Sequence, residues 1–328
     1  MYKKAVPFFM ITRTPLHAGS GQDLGFVDLP IQREKHTDFP KIEASGIKGS
    51  LKEAFENSNK TIKIAGKNID AKEHKEVVKF IFGPEDGDLH AGLLGFTNAR
   101  VLLFPVKSIK GVFAWITCPM VLERFKEELE MRIIDDLNKQ RELFKIPTER
   151  SIVKGSNLII EDKNGKEKIV LEEYTFSDVV ETEECSKFAE WIAERIFPNN
   201  DYWKEKMKKD IVVLSNDDFR DFVKFSTEIV TRIKIDNEKG TVEGNALFTE
   251  EYLPSETILY SFALISSLSP GTDIDKKYFS SDKNKKEDII MQYFKDGIPE
   301  IMQIGGNTTI GKGIVKIQIW EDKYERER

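Results

Sequence analysis

The chain has 328 residues, 40% of them hydrophobic and 32% charged, with a formal net charge of −6 at pH 7. The net acidity argues against non-specific nucleic-acid binding by the whole surface, so a nucleic-acid site would have to be built locally from cations and backbone amides. The two cysteines, Cys118 and Cys185, lie far apart, which argues against a disulfide framework or a cysteine zinc site. No stretch reaches the ~18 apolar residues of a membrane span, so we predict a cytoplasmic protein with no membrane partner.

The first third of the chain carries strand and helix signals around a long irregular stretch. Residues 6–12 are apolar or β-branched and predict a strand. Residues 17–40 follow as a loop whose length is typical of functional or disordered segments. Ser45 begins a predicted helix, in which apolar residues recur at i, i+4, i+7 and i+8 from Ile47. The next predicted elements are a helix at 73–82, strands at 96–106 and 111–118, and a long helix opened by Pro119.

The remainder of the chain adds an insertion and an extended hairpin. Residues 145–210 form the predicted insertion, with a hairpin that turns at 162–165 and an amphipathic helix at 187–197. Two strand runs, 229–235 and 241–248, flank a strong turn signal and predict a second hairpin. The other predicted elements are strands at 211–214, 257–265 and 314–320 and helices that begin at Ser215 and Glu287.

The order of these elements predicts the fold class. A strand, a helix and two strands open the chain, and strands stand near both of its ends. This order favours an α+β plait over a doubly wound sheet. We therefore predict an α+β fold with helical insertions and a β-hairpin.

A glycine-rich loop precedes the last predicted strand. Residues 306–312 match the first seven positions of the phosphate-cradling pattern GxxxxGK, but Gly313 replaces the magnesium-binding hydroxyl. A strand follows instead of a helix, and only 15 residues remain, so we reject a nucleotide site. Bare backbone can approach a ligand closely and successive amides can form an anion nest, which favours the phosphate backbone of RNA or DNA over the alternative of a structural turn. The candidate residues are Gly305, Gly306, Asn307, Thr308, Gly311, Lys312 and Gly313.

Cationic side chains are further candidates for phosphate contacts. Lys48 and Lys52 lie on the first turns of the helix that begins at Ser45, and helix-start amides together with a lysine make a phosphate seat. The small residues Gly46 and Gly49 belong to the same predicted seat, and a solvated helix face is the alternative. Readout of RNA by such contacts would depend on backbone and shape. Weaker candidates of the same kind are Lys107, Lys110 and Arg232.

Segments across nearly the whole chain resemble those of the RAMP superfamily of CRISPR RNA-binding proteins. Within that superfamily, they look like the backbone subunit of the Cmr (type III-B CRISPR) effector complex. The glycine loop alone indicates only a RAMP protein, whereas VDLPIQRE and TEEYLP are much more specific. The resembling segments are HAGSG at 17–21, GFVDLPIQRE at 25–34, SGIKG at 45–49, FPVKSIKGVFAW at 104–115, LSNDDF at 214–219 and LFTEEYLP at 247–254.

The resemblance implies one decorated domain with an RRM-like, ferredoxin-like core. The core would comprise residues 1–145 and 210–328, with the insertion at 145–210 and a β-hairpin thumb at 229–248. Copies of the subunit would stack as a helical filament along one guide CRISPR RNA, together with other Cmr complex subunits. Each thumb would push between guide and target RNA. Each copy would cut the target RNA beside its thumb with a divalent metal, Mg²⁺ or Mn²⁺.

The cutting aspartate of the family matches Asp28. Ribonuclease cleavage needs a 2′-hydroxyl placed in line with its phosphate, a proton acceptor and stabilisation of the developing charge. Asp28 could accept the proton or hold the metal, because magnesium often needs only one or two carboxylates. His17 could be an acid/base partner, and Glu250 or Glu251, just after the thumb, could complete the site. Taken alone, each of these residues is more often a surface or structural group.

Two other functions stay open from the sequence. The first is a backbone subunit that holds RNA without cutting it. The second is a stand-alone endonuclease that trims CRISPR precursor RNA, although RAMP enzymes of that kind usually carry two plait domains in one chain.

Overall fold

The structure is a computed structural model that describes residues 2–22, 25–58, 62–64, 66–84, 90–132, 143–235, 242–266, 273–279 and 286–320. Its strands are β1 (Tyr2–Thr12), β2 (Lys41–Ile42), β3 (Lys63–Ile64), β4 (Lys67–Asn68), β5 (Leu94–Phe96), β6 (Ala99–Lys107), β7 (Phe113–Thr117), β8 (Ser151–Val153), β9 (Ile160–Glu161), β10 (Glu167–Leu171), β11 (Tyr174–Phe176), β12 (Val180–Thr182), β13 (Ile211–Val213), β14 (Glu228–Ile235), β15 (Val242–Tyr252), β16 (Ile258–Ser266), β17 (Ile301–Gln303) and β18 (Ile314–Ile319). Its helices are α1 (Ala44–Glu56), α2 (Ala71–Phe82), α3 (Pro119–Arg132), α4 (Glu183–Ile196), α5 (Asp201–Lys209), α6 (Asn216–Phe225), α7 (Asp273–Tyr278) and α8 (Lys286–Gly297).

A large mixed sheet organises the molecule. Its strands lie in the order β12-β8-β13-β7-β6-β16-β1-β18-β17, with β2 paired to β6 and β5 to β16. β1 lies between β16 and β18 and is antiparallel to both. Phe8 of β1 packs on Phe294 of α8, and the next residue, Phe9, packs on Phe125 of α3. Because successive strand residues point to opposite faces, helices cover both faces of this strand, and the predicted α+β class is confirmed.

Most of the long elements lie where the sequence predicts them. The first helix begins at Ala44, one residue before the predicted start, and buries Ile47 together with two further residues of its predicted apolar stripe. The helix α6 begins after Ser215, whose hydroxyl accepts a hydrogen bond from the Asp218 amide as a capping box predicts. The sequence patterns do not predict the helices α5 and α7, the strands β8, β11, β12 and β17, or the two-residue strands β2, β3 and β4.

The predicted insertion is built into the main sheet as well as beside it. β8 and β12 extend the main sheet beyond β13, while β9, β10 and β11 form a separate three-stranded sheet. The turn at 162–165 joins β9 to β10, as predicted. A bridge between Ser108 and Leu171 ties β10 to the turn between β6 and β7. Across the described ranges, we find no helix with the length and apolar character of a membrane span.

The strands β14 and β15 form a two-stranded antiparallel ribbon, hereafter the thumb. Glu228 lies opposite Tyr252, and Ile233 lies opposite Leu247. The predicted turn at 236–240 falls outside the described residues. The part of the ribbon nearest the main sheet, residues 228–232 with 248–252, is called the thumb base below. It adjoins the loop between β1 and β2 and the glycine loop before β18.

Candidate nucleic-acid interface

The loop between β1 and β2 is attached to the thumb base as an additional strand. Leu29 forms a parallel bridge with Glu250. The Leu29 amide donates to the Thr249 carbonyl, and the Leu29 carbonyl accepts from the Glu251 amide, both at 3.0 Å. Residues 28–31 therefore follow the free edge of β15, and their position is tied to that of the thumb.

Asp28 is exposed at the outer end of this added strand, and Thr249 holds its carboxylate. The Thr249 amide donates to Asp28 Oδ2 at 2.7 Å, and the Thr249 hydroxyl donates to the same oxygen at 2.8 Å. The Asp28 amide donates in return to the Thr249 hydroxyl oxygen at 3.0 Å. The backbone bond from Thr249, followed by its side-chain bond, holds the pKa of Asp28 below the usual value. The carboxylate is therefore ionised at neutral pH.

Phe26, two residues before Asp28, presents an aromatic ring to solvent. Its relative exposure is 106%, against 53% for Ile233 and 59% for Leu247 on the thumb. A single exposed apolar residue needs no explanation by itself. Next to an exposed carboxylate, however, a bare aromatic ring provides a surface on which an unstacked RNA base can lie.

Glu251 fastens the same loop from its other end. One carboxylate oxygen accepts from the Arg33 guanidinium at 2.5 Å and from the Thr227 hydroxyl at 2.8 Å. The other oxygen accepts from the Ile31 amide at 3.0 Å, and the residue is only 5% exposed. With both oxygens engaged, this geometry favours a structural role for Glu251 over the predicted catalytic one.

Glu250 points away from Asp28, into a buried cluster on the other face of the ribbon. Thr249 and Glu250 are consecutive in a strand, so their side chains lie on opposite faces. One oxygen of Glu250 accepts from Arg232 at 2.8 Å and from the Tyr252 hydroxyl at 2.5 Å, and the other accepts from the Asn307 amide at 2.6 Å. Burial alone would raise the pKa of Glu250, but the bonds from Tyr252 and Asn307 bring it below the usual value.

His17 belongs to the same buried cluster. Its Nδ1 lies 2.7 Å from the Glu251 carbonyl oxygen, and because a carbonyl only accepts, Nδ1 carries the proton. Its Nε2 lies 3.8 Å from Glu250, and its ring centroid lies 5.6 Å from that of Tyr252. The structure thus brings His17 and Glu250 together and places both apart from Asp28. The four predicted catalytic residues do not converge on one point.

Tyr252, which no sequence pattern singles out, lies at the centre of the cluster. Its hydroxyl donates to Glu250 and accepts from Arg232 at 2.6 Å and from Asn307 at 3.1 Å. The Lys312 ammonium lies 4.7 Å from the centroid of the tyrosine ring. Burial and the bond to Glu250 raise the pKa of Tyr252. The TEEYLP segment contains this tyrosine, but a tyrosine at the end of a strand is usually a core residue, so the sequence alone gives no reason to select it.

Two glycines of the glycine loop are explained by contacts inside the chain. Gly305 and Gly313 have φ angles of +84° and +73°. A Cβ atom on Gly305 would lie 2.2 Å from the His17 carbonyl oxygen, and one on Gly313 would lie 2.1 Å from the Ile304 carbonyl oxygen. Gly305 lets the loop pack on His17 and Gly313 lets it pack on Ile304, so their absence of side chains does not by itself indicate a ligand.

The predicted anion nest in this loop is partly occupied by hydrogen bonds within the chain, and phosphate binding by the remaining amides stays a prediction. At most the amides of Gly305 and of residues 307–309 are left for a phosphate. Thr308 and Gly311 are exposed, whereas Lys312 is half-buried. A short 3-10 turn, Thr308–Ile310, is followed by the strand β18 and not by a helix, in agreement with the rejection of a nucleotide site. The loop amides that already donate to backbone carbonyls are those of Gly306, Ile310, Gly311, Lys312 and Gly313.

The two lysines at the start of α1 differ in their surroundings. Lys52 donates to the Gly83 carbonyl at 3.2 Å and lies 3.9 Å from Glu56. Lys48 is half-buried, and the described part of the chain offers it no acidic partner. Burial, together with the charge of Lys52, lowers the pKa of Lys48. Lys48 therefore has the unused charge that a phosphate needs, beside the exposed residues Ser45, Gly46 and Gly49.

The remaining cationic candidates do not form one patch with Lys48. Lys107 is the last residue of β6 and Lys110 lies in the turn that follows, whereas the chain enters α1 beside Ala99, at the other end of that strand. The length of β6, about 26 Å at the usual rise per residue, separates the two places. Lys110 also donates to the Ile159 carbonyl at 2.7 Å, and Arg232 is engaged in the buried cluster.

Comparison with known proteins assigns the chain to a class. The model of the RAMP superfamily matches residues 9–316, and the chain belongs to this superfamily. A protein of Pyrococcus furiosus named CRISPR system Cmr endoribonuclease Cmr4 is 36% identical over 320 residues, which cover 97% of this chain and 96% of that protein. A protein of Saccharolobus solfataricus named CRISPR system CMR subunit Cmr4 is 28% identical, with 98% of each chain covered.

A solved structure extends the similarity to three dimensions. The crystal structure of oligomeric Cmr4 from Pyrococcus furiosus has a TM-score of 0.67 to this chain at 29% sequence identity. The similarity covers 98% of this chain and 100% of that one. The resemblance to RAMP proteins of the Cmr complex, stated above from the sequence segments, is confirmed.

Proposed function

We propose that this protein is a guide-RNA-binding, filament-forming backbone subunit of a type III-B CRISPR effector complex, and that it cuts the target RNA. One observation carries the cutting activity: Asp28 is an exposed, ionised carboxylate that Thr249 fixes at the edge of the thumb base. Similarity along almost the whole chain to a relative named an endoribonuclease supports the same conclusion.

The strand order supports the RRM-like core that such a subunit would have. β6, β16, β1 and β18 are neighbours in the sheet, and each neighbouring pair is antiparallel. In the chain, α1 follows β1 and α8 precedes β18. This is the arrangement of a βαββαβ plait, in which the other elements are insertions. One decorated domain, with the residue limits given above, stays a prediction.

Asp28 would act on the target strand. Its carboxylate would accept the proton of a 2′-hydroxyl as that oxygen attacks the neighbouring phosphorus. The bond from phosphorus to the 5′ oxygen would break, leaving a 2′,3′-cyclic phosphate, and the departing 5′ oxygen would take a proton from water. The distal end of the thumb would separate guide and target, giving the splayed, in-line geometry that a regular A-form helix lacks. Phe26 would stack on the base that becomes exposed beside this step.

A divalent cation, Mg²⁺ or Mn²⁺, is part of the proposal. In the described ranges, no group of three or more His, Cys, Asp and Glu side chains could hold a metal. As the alternative to its role as proton acceptor, Asp28 offers Oδ1 to the cation, because the bonds from Thr249 fall on Oδ2. One carboxylate oxygen is compatible with magnesium, which completes its coordination with phosphate oxygens and water. When bound there, the cation would neutralise charge on the scissile phosphate.

The guide RNA would bind at the start of α1. Lys48, with the exposed residues around it at the start of α1, is the proposed seat of the guide backbone. The exposed turn Thr308–Ile310 would add contacts from the glycine loop. Copies of the same chain and other Cmr subunits would be its protein partners. The cytoplasmic location remains a prediction.

The substitution Asp28→Asn tests the proposal. In a complex assembled with guide RNA, we expect it to slow cutting of a complementary target about a hundredfold to ten-thousandfold, because it removes the proton acceptor. Complex assembly and target affinity should not change. The substitution Asp201→Asn, at an exposed aspartate of α5, is the control. A chelator should stop cutting, and added Mg²⁺ or Mn²⁺ should restore it.

Two results would favour the alternative functions. Normal cutting by the Asp28→Asn complex would favour a backbone subunit that holds RNA without cutting it. The nuclease would then be another component of the complex. Specific cutting of a repeat-containing transcript by the isolated chain would favour a precursor-processing endonuclease.

A further inference from the structure

The contact between Thr249 and Asp28 is more specific than attachment of the loop requires. The Leu29 bridge and the Glu251 contacts already hold residues 28–31 against β15. In addition, two donors of Thr249 converge on one oxygen of Asp28, and the Thr249 hydroxyl accepts from the Asp28 amide. A hydroxyl that donates and accepts at once fixes both the side chain and the backbone of its partner.

We propose that Thr249 is a positioning residue for RNA cutting: it holds the Asp28 carboxylate by Oδ2 and thereby presents Oδ1 to the target strand. The inference rests on the proposed function above. The last torsion of an aspartate side chain is broad, so an exposed carboxylate without such donors would sample many orientations. A displacement of about 1 Å at a reacting group can cost about a hundredfold in rate.

The identity of residue 249 suits this task. Thr249 lies in the thumb base, next to Glu250, whose side chain is buried and fully engaged on the other face. Its branched side chain is stiff in a strand, which keeps the hydroxyl oriented. Serine would keep the hydroxyl, whereas valine would keep the shape and lose both side-chain hydrogen bonds to Asp28.

The substitution Thr249→Val is the decisive variant. In the assembled complex with saturating target, we expect the cutting rate constant to fall about tenfold to a hundredfold, as for lost hydrogen bonds to a charged group. The effect is smaller than that of Asp28→Asn because the Thr249 amide still donates to Oδ2. Target affinity and assembly should match the unsubstituted complex. Thr249→Ser should restore cutting to within about threefold, because the hydroxyl returns.

The thumb offers a matched control. Thr231 lies directly opposite Thr249 on β14, on the same face of the ribbon, and is exposed. The hydrogen bonds to the Asp28 carboxylate come from residue 249. Thr231→Val makes the same chemical change in the same ribbon, so we expect its cutting rate to stay within about twofold of the unsubstituted complex.

The outcomes separate this inference from the proposed function. If Asp28→Asn is inactive but Thr249→Val cuts as fast as Thr231→Val, the positioning role is overturned and the proposed function stands. If Thr249→Val loses target binding or assembly together with cutting, or if serine does not restore the rate, the residue is structural and the inference also fails. Normal cutting by Asp28→Asn would instead overturn the proposed function itself.

Discussion

Two of the carboxylates at the strand β15, those of Asp28 and Glu250, lie in opposite surroundings. Asp28, at its free edge, is exposed, and its partner Thr249 donates to one of its two oxygens. Glu250, on the opposite face of the ribbon, is 5% exposed and accepts hydrogen bonds from Tyr252, Arg232 and Asn307. A saturated buried network makes a structure rigid, whereas an exposed group with an unused oxygen can take part in chemistry. Unused hydrogen-bonding capacity distinguishes the two carboxylates better than residue type does.

The largest expected effect comes from substituting Glu250, the buried one of the two carboxylates. Glu250→Gln should lower the free energy of unfolding by about 1–3 kcal/mol, because it leaves the half-buried Arg232 guanidinium and the buried Tyr252 hydroxyl with a poorer acceptor. Urea denaturation of the isolated chain measures this, with Asp28→Asn as the comparison, whose midpoint should move much less because Asp28 is exposed. Equal losses for the two variants would mean that both carboxylates are structural.

Removing the aromatic ring beside Asp28 should have an intermediate effect. Phe26→Ala should weaken target binding about tenfold, the usual range for one stacked base, while Phe26→Trp should preserve it. Filter binding of the assembled complex gives the affinity, and stability should be unchanged because the ring is fully exposed. Tyr202→Ala, at an exposed tyrosine of α5, is the control. Equal affinities for Phe26→Ala and Tyr202→Ala would remove Phe26 from the target surface.

The smallest effect extends the same reasoning to the guide side. Lys48→Met should weaken guide binding about threefold at physiological salt and reduce the salt-dependence slope by about 0.7, as for one lost phosphate contact on a single strand. Lys52→Met should change the slope less, because the Gly83 carbonyl and Glu56 already engage that ammonium. A larger slope change for Lys52→Met would reverse the assignment.

The fold could be predicted from sequence where local pattern decided the structure. The stripe from Ile47 located α1 to within one residue, and the capping pattern at Ser215 located α6. In contrast, α5 buries only Met207 along its length, so it has no apolar stripe to detect. Lys206 of α5 donates to the carbonyls of Gly111 and Phe113, far away in the chain. Such tertiary contacts stabilise a helix that the local sequence pattern does not predict.

The sequence indicated which segments form the candidate site, but it did not indicate which of their residues pair with distant residues. The resemblance singled out VDLPIQRE, yet Arg33 pairs with Glu251, 218 residues away, and Glu34 accepts from Arg124, 90 residues away. Nothing local indicates that these two charges form internal ion pairs. In the same way, the glycine loop predicted a close approach to a ligand, and the structure contains a close approach to the His17 carbonyl.

The added strand at residues 28–31 makes the carboxylate of Asp28 part of the thumb. Under the proposed function, the group that cuts the target is hydrogen-bonded to the base of the ribbon that opens the duplex, so each cut would fall at a fixed distance from each opening. In a stack of identical copies, the distance between successive cut sites would then equal the repeat distance of the stack. It would not depend on the bases between the cuts. Each ribbon would then mark one cutting position along the target RNA.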